Sequence, residues 1–217
     1  MKIAVNTRLL LPDKLSGIGW FTYHTLKRIV AGNPQHQFIF LFDRKYDARF
    51  IFGPNVIPEV IPPPTRHPVL QHIWLHYSIL PVIKRHKPDL FFSPDGYNSL
   101  MLGTIPSLLV LHDINFHHHP ENVSFSDRIY LNHFVPKFAH SAKRILTVSE
   151  YSRSDIAGTY GIDKTKIDVT CNGADDIFRP LSHEEKTVVR NKYTNGEEYF
   201  VYIGDLMPRK NIVRMIQ

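Results

Sequence analysis

The chain has 217 residues, a length typical of one large α/β domain or of one domain and part of another. With 43% hydrophobic and 12% aromatic residues it can bury an ordinary core, which excludes the disordered and collagen-like classes. The net charge of +6 favours anionic ligands, but the cationic residues are spread along the chain, so we expect no nucleic-acid partner.

Strand-like and helix-like segments alternate, which is typical of a parallel sheet with helices on both faces. The chain opens with a predicted strand KIAVN, a helix GIGWFTYHTLKRIVAG, two strands QFIFLFD and NVIPEVI, and a helix HPVLQHIWLHYSILPVIKRHK interrupted at Pro81. There follow strands DLFFS and SLLVLHD, a helix SFSDRIYLNHFVPKFAHSA, a strand KRILTVS, a helix SEYSRSDIAGTYG and a strand KIDVTCNG. Residues 1–180 are therefore predicted to form a doubly wound, Rossmann-like α/β domain of six or seven strands, with NVIPEVI near an edge because of Pro58.

The pattern restarts after residue 180. A polar segment leads to a predicted strand, YFVYIG, and to the beginning of a helix, RKNIVRMIQ. We therefore expect residues 181–217 to be a linker and the first βα unit of an incomplete second domain, and the chain to be a fragment.

Cys171 is the only cysteine, so no disulfide can form within the chain and a cytoplasmic compartment is the simplest expectation. The N-terminal stretch MKIAVNTRLLLPD is too polar for a signal peptide. No stretch of the sequence approaches the roughly 20 apolar residues that cross a bilayer. A soluble protein that can still touch a membrane is expected.

In open parallel sheets, ligands bind outside the carboxyl ends of the strands. His112 and Asp113 directly follow the apolar run SLLVL, where a neutral imidazole could bond a substrate hydroxyl or support a transition state. The alternative for His112 is a histidine satisfied inside the core. His117, His118 and His119 follow; because three consecutive histidines cannot converge on one ion, we predict a partly exposed loop and no metal site.

Three other loops are candidates. In SGIGWF, Gly17 and Gly19 allow close backbone approach to a phosphate or sugar at a helix N-terminus, although a structural turn is the alternative. In TVSEYSR, Ser149 or Ser152 could bind a phosphate, but capping the next helix is favoured. In GDLMPRKN, Arg209 and Lys210 suit a diphosphate, or form a solvated basic turn.

These loops, in this order, resemble the retaining glycosyltransferases of family 4, which have the GT-B fold of two facing Rossmann-like domains. The resemblance covers nearly the whole chain. Its most specific part is the succession VSEYSRSDI…YGI…KI.V..NG; the other matching stretches are SGIGWFTYHTL, HKPDLFFSPD, LHDINFHHHPE and YIGDLMPRKN.

The resemblance implies transfer of a sugar from a nucleotide diphosphate sugar to an acceptor hydroxyl with retention, without a metal or other cofactor. It places the acceptor mainly in the N-terminal domain and the nucleotide in the C-terminal domain. It implies that His112 contacts the transferred sugar, that Gly17 and Gly19 approach the donor, and that Arg209 and Lys210 neutralise the leaving diphosphate. Residues expected to line the cleft or the acceptor site are Asp95, Asn98, Asp113 and Ser149, and Asn172 and Gly173 are expected near the hinge.

The sequence departs from the family pattern at two places. Asp205 follows Gly204 where many members have an arginine, and the paired glutamates of the family would lie beyond Gln217, so this chain alone is expected to be inactive. The stretches GDLMPRKN and LHDINF look closest to mannosyl- or rhamnosyl-transferring members, which favours GDP-mannose as donor and a glycan or lipid-linked acceptor.

The helix LQHIWLHYSILPVIKRHK suits a peripheral contact with the inner membrane face, or is an ordinary core-facing helix with a cationic end. The alternative function is a non-catalytic ligand-binding α/β domain. A basic nucleic-acid-binding domain and a metal-dependent hydrolase built on the histidines are the other classes considered.

Overall fold

Seven strands form one parallel sheet in the computed structural model, which describes residues 1–175, 177–204, 206 and 210–217. The strands are β1 (Lys2–Asn6), β2 (Gln37–Phe42), β3 (Val56–Val60), β4 (Leu90–Ser93), β5 (Ser107–Val110), β6 (Arg144–Thr147) and β7 (Ile167–Val169). They lie in the order β3-β2-β1-β4-β5-β6-β7. The predicted Rossmann-like sheet is confirmed, with β3, which contains Pro58, at one edge.

The helices alternate with these strands as the sequence predicts. They are α1 (Gly17–Gly32), α2 (Pro68–Ile73), α3 (Leu80–His86), α4 (Asn115–His118), α5 (Phe125–Ser141), α6 (Glu150–Tyr160), α7 (His183–Thr194) and α8 (Ile212–Ile216). The interruption expected at Pro81 lies earlier, in a π-helical turn at Trp74–Ser78. Pro81 instead occupies the first turn of α3, where a missing N–H breaks no helical hydrogen bond.

The sheet has an apolar core on each face because successive residues of a strand point to opposite sides. Ala4 of β1 packs in the core that the π-helical turn, α3, α5 and α6 cover. Its neighbour Val5 packs in the other core, with Leu26 and Val30 of α1. Helices on both faces explain why the central strands are continuous apolar runs rather than alternating ones.

The chain divides into two units, Met1–Asn172 and Gly173–Gln217, so the division falls between the two residues expected near a hinge. In the second unit, α7 begins with a capping box formed by Ser182 and Glu185. The strand predicted at YFVYIG is not formed, since residues 199–203 are irregular. A strand needs a neighbour to pair with, and the structure assigns no strand elsewhere in the described part of this unit.

Across the described ranges, no helix combines the length and the apolar character needed to cross a membrane.

Candidate active site

The carboxyl ends of β1 and β4 form the candidate site. These strands are neighbours in the sheet, and the strand order runs outward in opposite directions from them. In a doubly wound sheet this switch point leaves a crevice between the loops that follow the two strands. The polar residues directly after β1, β4 and β5 are therefore the ones that a ligand would meet.

A buried ion pair joins the loops after β1 and β4. The side chain of Asp95 is 2% exposed, and its Oδ2 accepts from Nε of Arg8 at 2.6 Å. Its Oδ1 accepts from Nδ2 of Asn6 at 2.9 Å and from the backbone N–H of Tyr97 at 3.2 Å. Ser93 accepts from the same Asn6 amide at 3.0 Å and donates to the carbonyl of Tyr97. Asp95, which the sequence predicts to line the cleft, thus joins the loop after β1 to the loop after β4.

Tyr97 extends this network. The guanidinium carbon of Arg8 lies 4.6 Å from the centre of the Tyr97 ring, a cation–π contact. Burial raises the pKa of the Tyr97 hydroxyl, against the opposing effect of Arg8, so the hydroxyl stays protonated. Asn6, Arg8 and Tyr97 are not among the residues predicted from the sequence to form the site. The signal was available, since NTR directly follows the first strand and the rule applied to β5 applies equally to β1.

His112 lies at the carboxyl end of β5 with its ring fixed on two sides. Its Nε2 is 3.0 Å from the carbonyl oxygen of Pro94, which can only accept, so Nε2 carries a proton. The ring stands edge-on to Phe21 of α1, with ring centroids 4.8 Å apart and an interplanar angle of 88°. In a neutral ring with this tautomer, Nδ1 is the hydrogen-bond acceptor that a ligand hydroxyl would meet.

Gly17 and Gly19 lie in the first turn of α1, the helix whose residue Phe21 contacts His112. Ser16 caps α1, its hydroxyl accepting from the backbone N–H of Gly19 at 3.4 Å. A Cβ on Gly19 would lie 3.1 Å from the carbonyl oxygen of Leu9 and 3.2 Å from a methyl carbon of Leu15, whereas a Cβ on Gly17 would meet nothing within 4 Å. Gly19 therefore has a packing role, and the backbone at Gly17 is the part open to close approach.

Two predicted residues make local structural contacts. The Oδ1 atom of Asp113 accepts from the backbone N–H of Asn115 at 2.9 Å and stabilises the start of α4. Asp113 is exposed, next to His112. Ser149 caps α6, accepting from the backbone N–H of Ser152 at 3.1 Å. The hydroxyl of Ser149 is thus used as the capping alternative requires.

Asn98 is not part of the carboxyl-end cluster. Its side chain is buried and donates to the hydroxyls of Ser107, at 2.8 Å, and Ser141, at 3.1 Å. Ser107 begins β5 and His112 follows the end of β5, so Asn98 is anchored at the opposite end of that strand. The structure therefore places Asn98 between β5 and α5, away from the residues with which the sequence grouped it.

The three consecutive histidines point to three different partners. His117 bonds Asn132 at 3.0 Å, His118 bonds Asp155 at 2.8 Å, and His119 bonds Glu121 at 3.1 Å. His117 and His118 lie in α4 rather than in the predicted loop, and all three histidines are exposed. Among the residues that the structure describes, no three histidine, cysteine or acidic side chains are grouped to hold a metal ion.

The predicted diphosphate site falls in the second unit. Lys210 is exposed there, whereas Arg209 and Asp205 lie outside the described residues. The role of these cations therefore stays a prediction.

Known structures share this fold. Two crystal structures of Anabaena Alr3699/HepE, one in complex with UDP and glucose and one with UDP-glucose, both align with a TM-score of 0.56. The sequence identities are 17% and 19%, and the alignments cover 89% and 88% of this chain and 50% and 49% of those chains. At these identities the likeness establishes the fold alone, which is shared with about half of each of these GT-B glycosyltransferase chains.

Sequence relatives point to the same family. O-antigen chain mannosyltransferase B of Escherichia coli is 31% identical over 137 residues, which is 62% of this chain and 35% of that protein. O-antigen chain mannosyltransferase RfbU of Salmonella typhimurium is 24% identical over 168 residues, 76% of this chain and 42% of that protein. The matched segments thus cover less than half the length of these relatives. Residues 15–177 match the profile of Glycosyltransferase Family 4. Because that match extends over more than half of the chain, the chain belongs to Glycosyltransferase Family 4.

Proposed function

We propose that this chain forms the acceptor-side part of a retaining glycosyltransferase that moves mannose from GDP-mannose to a hydroxyl of a glycan or lipid-linked acceptor. The mannosyl donor is supported by the names of the two O-antigen chain relatives. A nucleotide-sugar donor is also supported by the HepE structures, which contain UDP or UDP-glucose. An acceptor anchored in lipid would require the protein to work peripherally at the inner membrane face.

The observation that carries the proposal is the fixed ring of His112. Its Nε2 is held by the carbonyl of Pro94 and its edge by Phe21, at the end of β5 beside the crevice. A ring held by these two contacts presents Nδ1 in one direction, which suits recognition of a single sugar hydroxyl. We assign His112 to contact with the transferred sugar while the glycosidic bond to the diphosphate breaks.

The leaving diphosphate needs charge stabilisation in the transition state. The first turn of α1 offers backbone N–H groups at Gly17 and Ile18, and the positive end of the helix favours an anion there. Arg209 and Lys210 remain proposed cations for the leaving diphosphate, as the family resemblance implies. No step of this scheme uses a metal ion, so chelators should leave the activity intact.

The test is turnover of GDP-, UDP-, ADP- and dTDP-sugars by the whole protein, with and without EDTA. We expect release of GDP from GDP-mannose, unchanged by EDTA, and a product whose anomeric configuration by NMR matches that of the donor. The variant His112→Ala should lose about 100-fold or more in turnover, whereas His118→Ala, which changes an exposed histidine paired to Asp155, should retain it. Silence across all donors from folded protein would instead favour a non-catalytic ligand-binding domain.

A further inference from the structure

An apolar groove runs between α2 and α5, on the outside of these helices. It has a volume of about 460 Å³, and its lining includes Val69, Ile73, Ile129, Tyr130 and Phe134. Several of these side chains are open to solvent: Val69 is 58% exposed, Ile73 39% and Ile129 56%. Contiguous exposed apolar surface of this kind marks an interaction site, since scattered single residues would not form a groove.

Further apolar side chains on the same two segments are open to solvent. Leu70, Tyr77 and Phe125 are 37%, 56% and 71% exposed. Aromatic side chains with one polar atom, such as Tyr77, are favoured at the boundary between water and lipid. The groove and its surroundings thus present an amphipathic surface rather than an enclosed cavity for a small ligand.

Cationic residues outnumber acidic ones in the two segments that contain the groove. Residues 66–87 contain no acidic residue, and residues 125–141 contain only Asp127. Arg85 is paired with Glu59, at 2.6 Å, so its charge is offset. The other exposed lysines and arginines of these segments are Arg66, Lys84, Lys87, Arg128 and Lys137. An apolar groove in segments that carry more cationic than acidic residues is complementary to a surface with an apolar interior and anionic headgroups.

We propose that the α2–α5 groove docks the protein on an anionic lipid bilayer, with Val69, Ile73 and Ile129 entering the headgroup boundary and the cations contacting lipid phosphates. A second copy of the chain is disfavoured as the occupant, because it would bring two cationic surfaces together. This inference rests on the peripheral membrane location in the proposed function, and it names the surface responsible.

The groove adjoins the candidate site. Tyr130 lines the groove, and its ring centroid lies 6.3 Å from that of Tyr97, which in turn contacts Arg8. A bilayer docked on α2 and α5 therefore places the headgroup region beside the loops that follow β1 and β4. A lipid-linked acceptor would present its sugar end to the crevice from that side.

The test is co-sedimentation of the protein with vesicles of phosphatidylcholine alone or with 30% phosphatidylglycerol, a composition chosen for the assay. Neither donor nor acceptor is added, so a failure here is separate from a failure of sugar transfer. We expect binding to the anionic vesicles that weakens as salt rises. The double variant Arg66→Glu, Arg128→Glu should weaken binding at least about 25-fold, from about fivefold for each cation lost. Lys186→Glu with Lys192→Glu, the matched reversal on α7, should leave it unchanged.

A second set of variants tests the apolar side chains of the groove. Val69→Ser with Ile129→Ser should weaken vesicle binding about tenfold or more, whereas Val188→Ser, at a 67% exposed position of α7, should not. These side chains are exposed, so the fold is retained, which circular dichroism checks. The proposal is overturned if the anionic vesicles do not retain the protein, or if the groove variants bind them as the wild type does. It is also overturned if those variants change only the oligomeric state in solution.

Discussion

The ring of His112 stands edge-on against the ring of Phe21, at a centroid distance of 4.8 Å, so the first helix and the fifth strand meet at the candidate site. Removing the Phe21 ring leaves the imidazole with one fixed side, the hydrogen bond to Pro94. We expect Phe21→Leu to lower kcat about tenfold while KM for the donor changes little, because orientation is lost and binding surface is not. Tyr23→Leu on the same helix, whose ring contacts Phe50 and Phe52, is the control. If Phe21→Leu and Tyr23→Leu had equal turnover, the proposal that Phe21 orients the ring of His112 would be wrong.

The buried pair of Arg8 and Asp95 allows a stability prediction. Asp95→Ala leaves the guanidinium of Arg8 buried without its partner, and should cost about 3–5 kcal/mol of unfolding free energy. Urea denaturation of the first unit measures this. The exposed pair of Arg144 and Asp168 has a similar N–O distance, 2.5 Å, but side chains 47% and 48% exposed. Asp168→Ala should therefore cost less than about 1 kcal/mol. A similar cost for both variants would contradict the burial argument.

The two glycines in the first turn of α1 should respond differently to alanine. Gly19→Ala places a Cβ 3.1 Å from the carbonyl oxygen of Leu9, and should destabilise the fold by about 1–3 kcal/mol. Gly17→Ala meets nothing within 4 Å, so its stability should be equal to or above that of the wild type.

If Gly17 approaches the donor as proposed, Gly17→Ala should nevertheless weaken donor binding about tenfold or more by calorimetry. Unchanged donor affinity in a stable Gly17→Ala protein would assign the loop to structure alone.

His76 gives a prediction on pH. Burial, with a smaller contribution from the stacked ring of His72, lowers the pKa of His76 from 6.5 to about 4. Between pH 6.5 and about 4, the unfolded chain therefore binds a proton at His76 that the folded chain does not bind. His76 consequently adds stability at neutral pH that is lost as the pH falls from 6.5 to about 4.

The variant His76→Gln should therefore show a smaller decline in unfolding free energy between pH 7 and pH 5 than the wild type. Denaturant titrations at a series of pH values measure this difference. The exposed residue His119 supplies the control variant, His119→Gln. A decline in His76→Gln as large as that of the wild type would show that burial of this ring does not set the pH dependence.

The sheet was predictable because its physical signals are local. Apolar runs such as SLLVL are needed by strands covered on both faces, and Ser149 and Gly161 mark the two ends of α6 as capping rules require. The strand prediction was wrong for a segment whose pairing depends on a partner strand distant in the sequence. YFVYIG has the composition of a strand, but pairing needs a neighbour that composition does not supply.

The candidate site was only partly predictable for the same reason. His112 could be found from its position after one strand, and the structure puts it beside Phe21. Asn98 could not be separated from Asp95 by sequence, since both follow the same strand and only the fold shows that one bonds Ser107 and the other Arg8. The partnership of Arg8 with Asp95 joins residues 87 positions apart.

Asp95 also has a mechanical consequence. Because one carboxylate takes hydrogen bonds from Asn6, Arg8 and the backbone of Tyr97, the loops after β1 and β4 cannot separate without exposing a buried charge. These hydrogen bonds therefore resist relative movement of the two loops at the base of the crevice. A ligand of this crevice must match a shape that already exists, and discrimination between ligands depends on a preorganised surface that spends little binding energy on its own rearrangement.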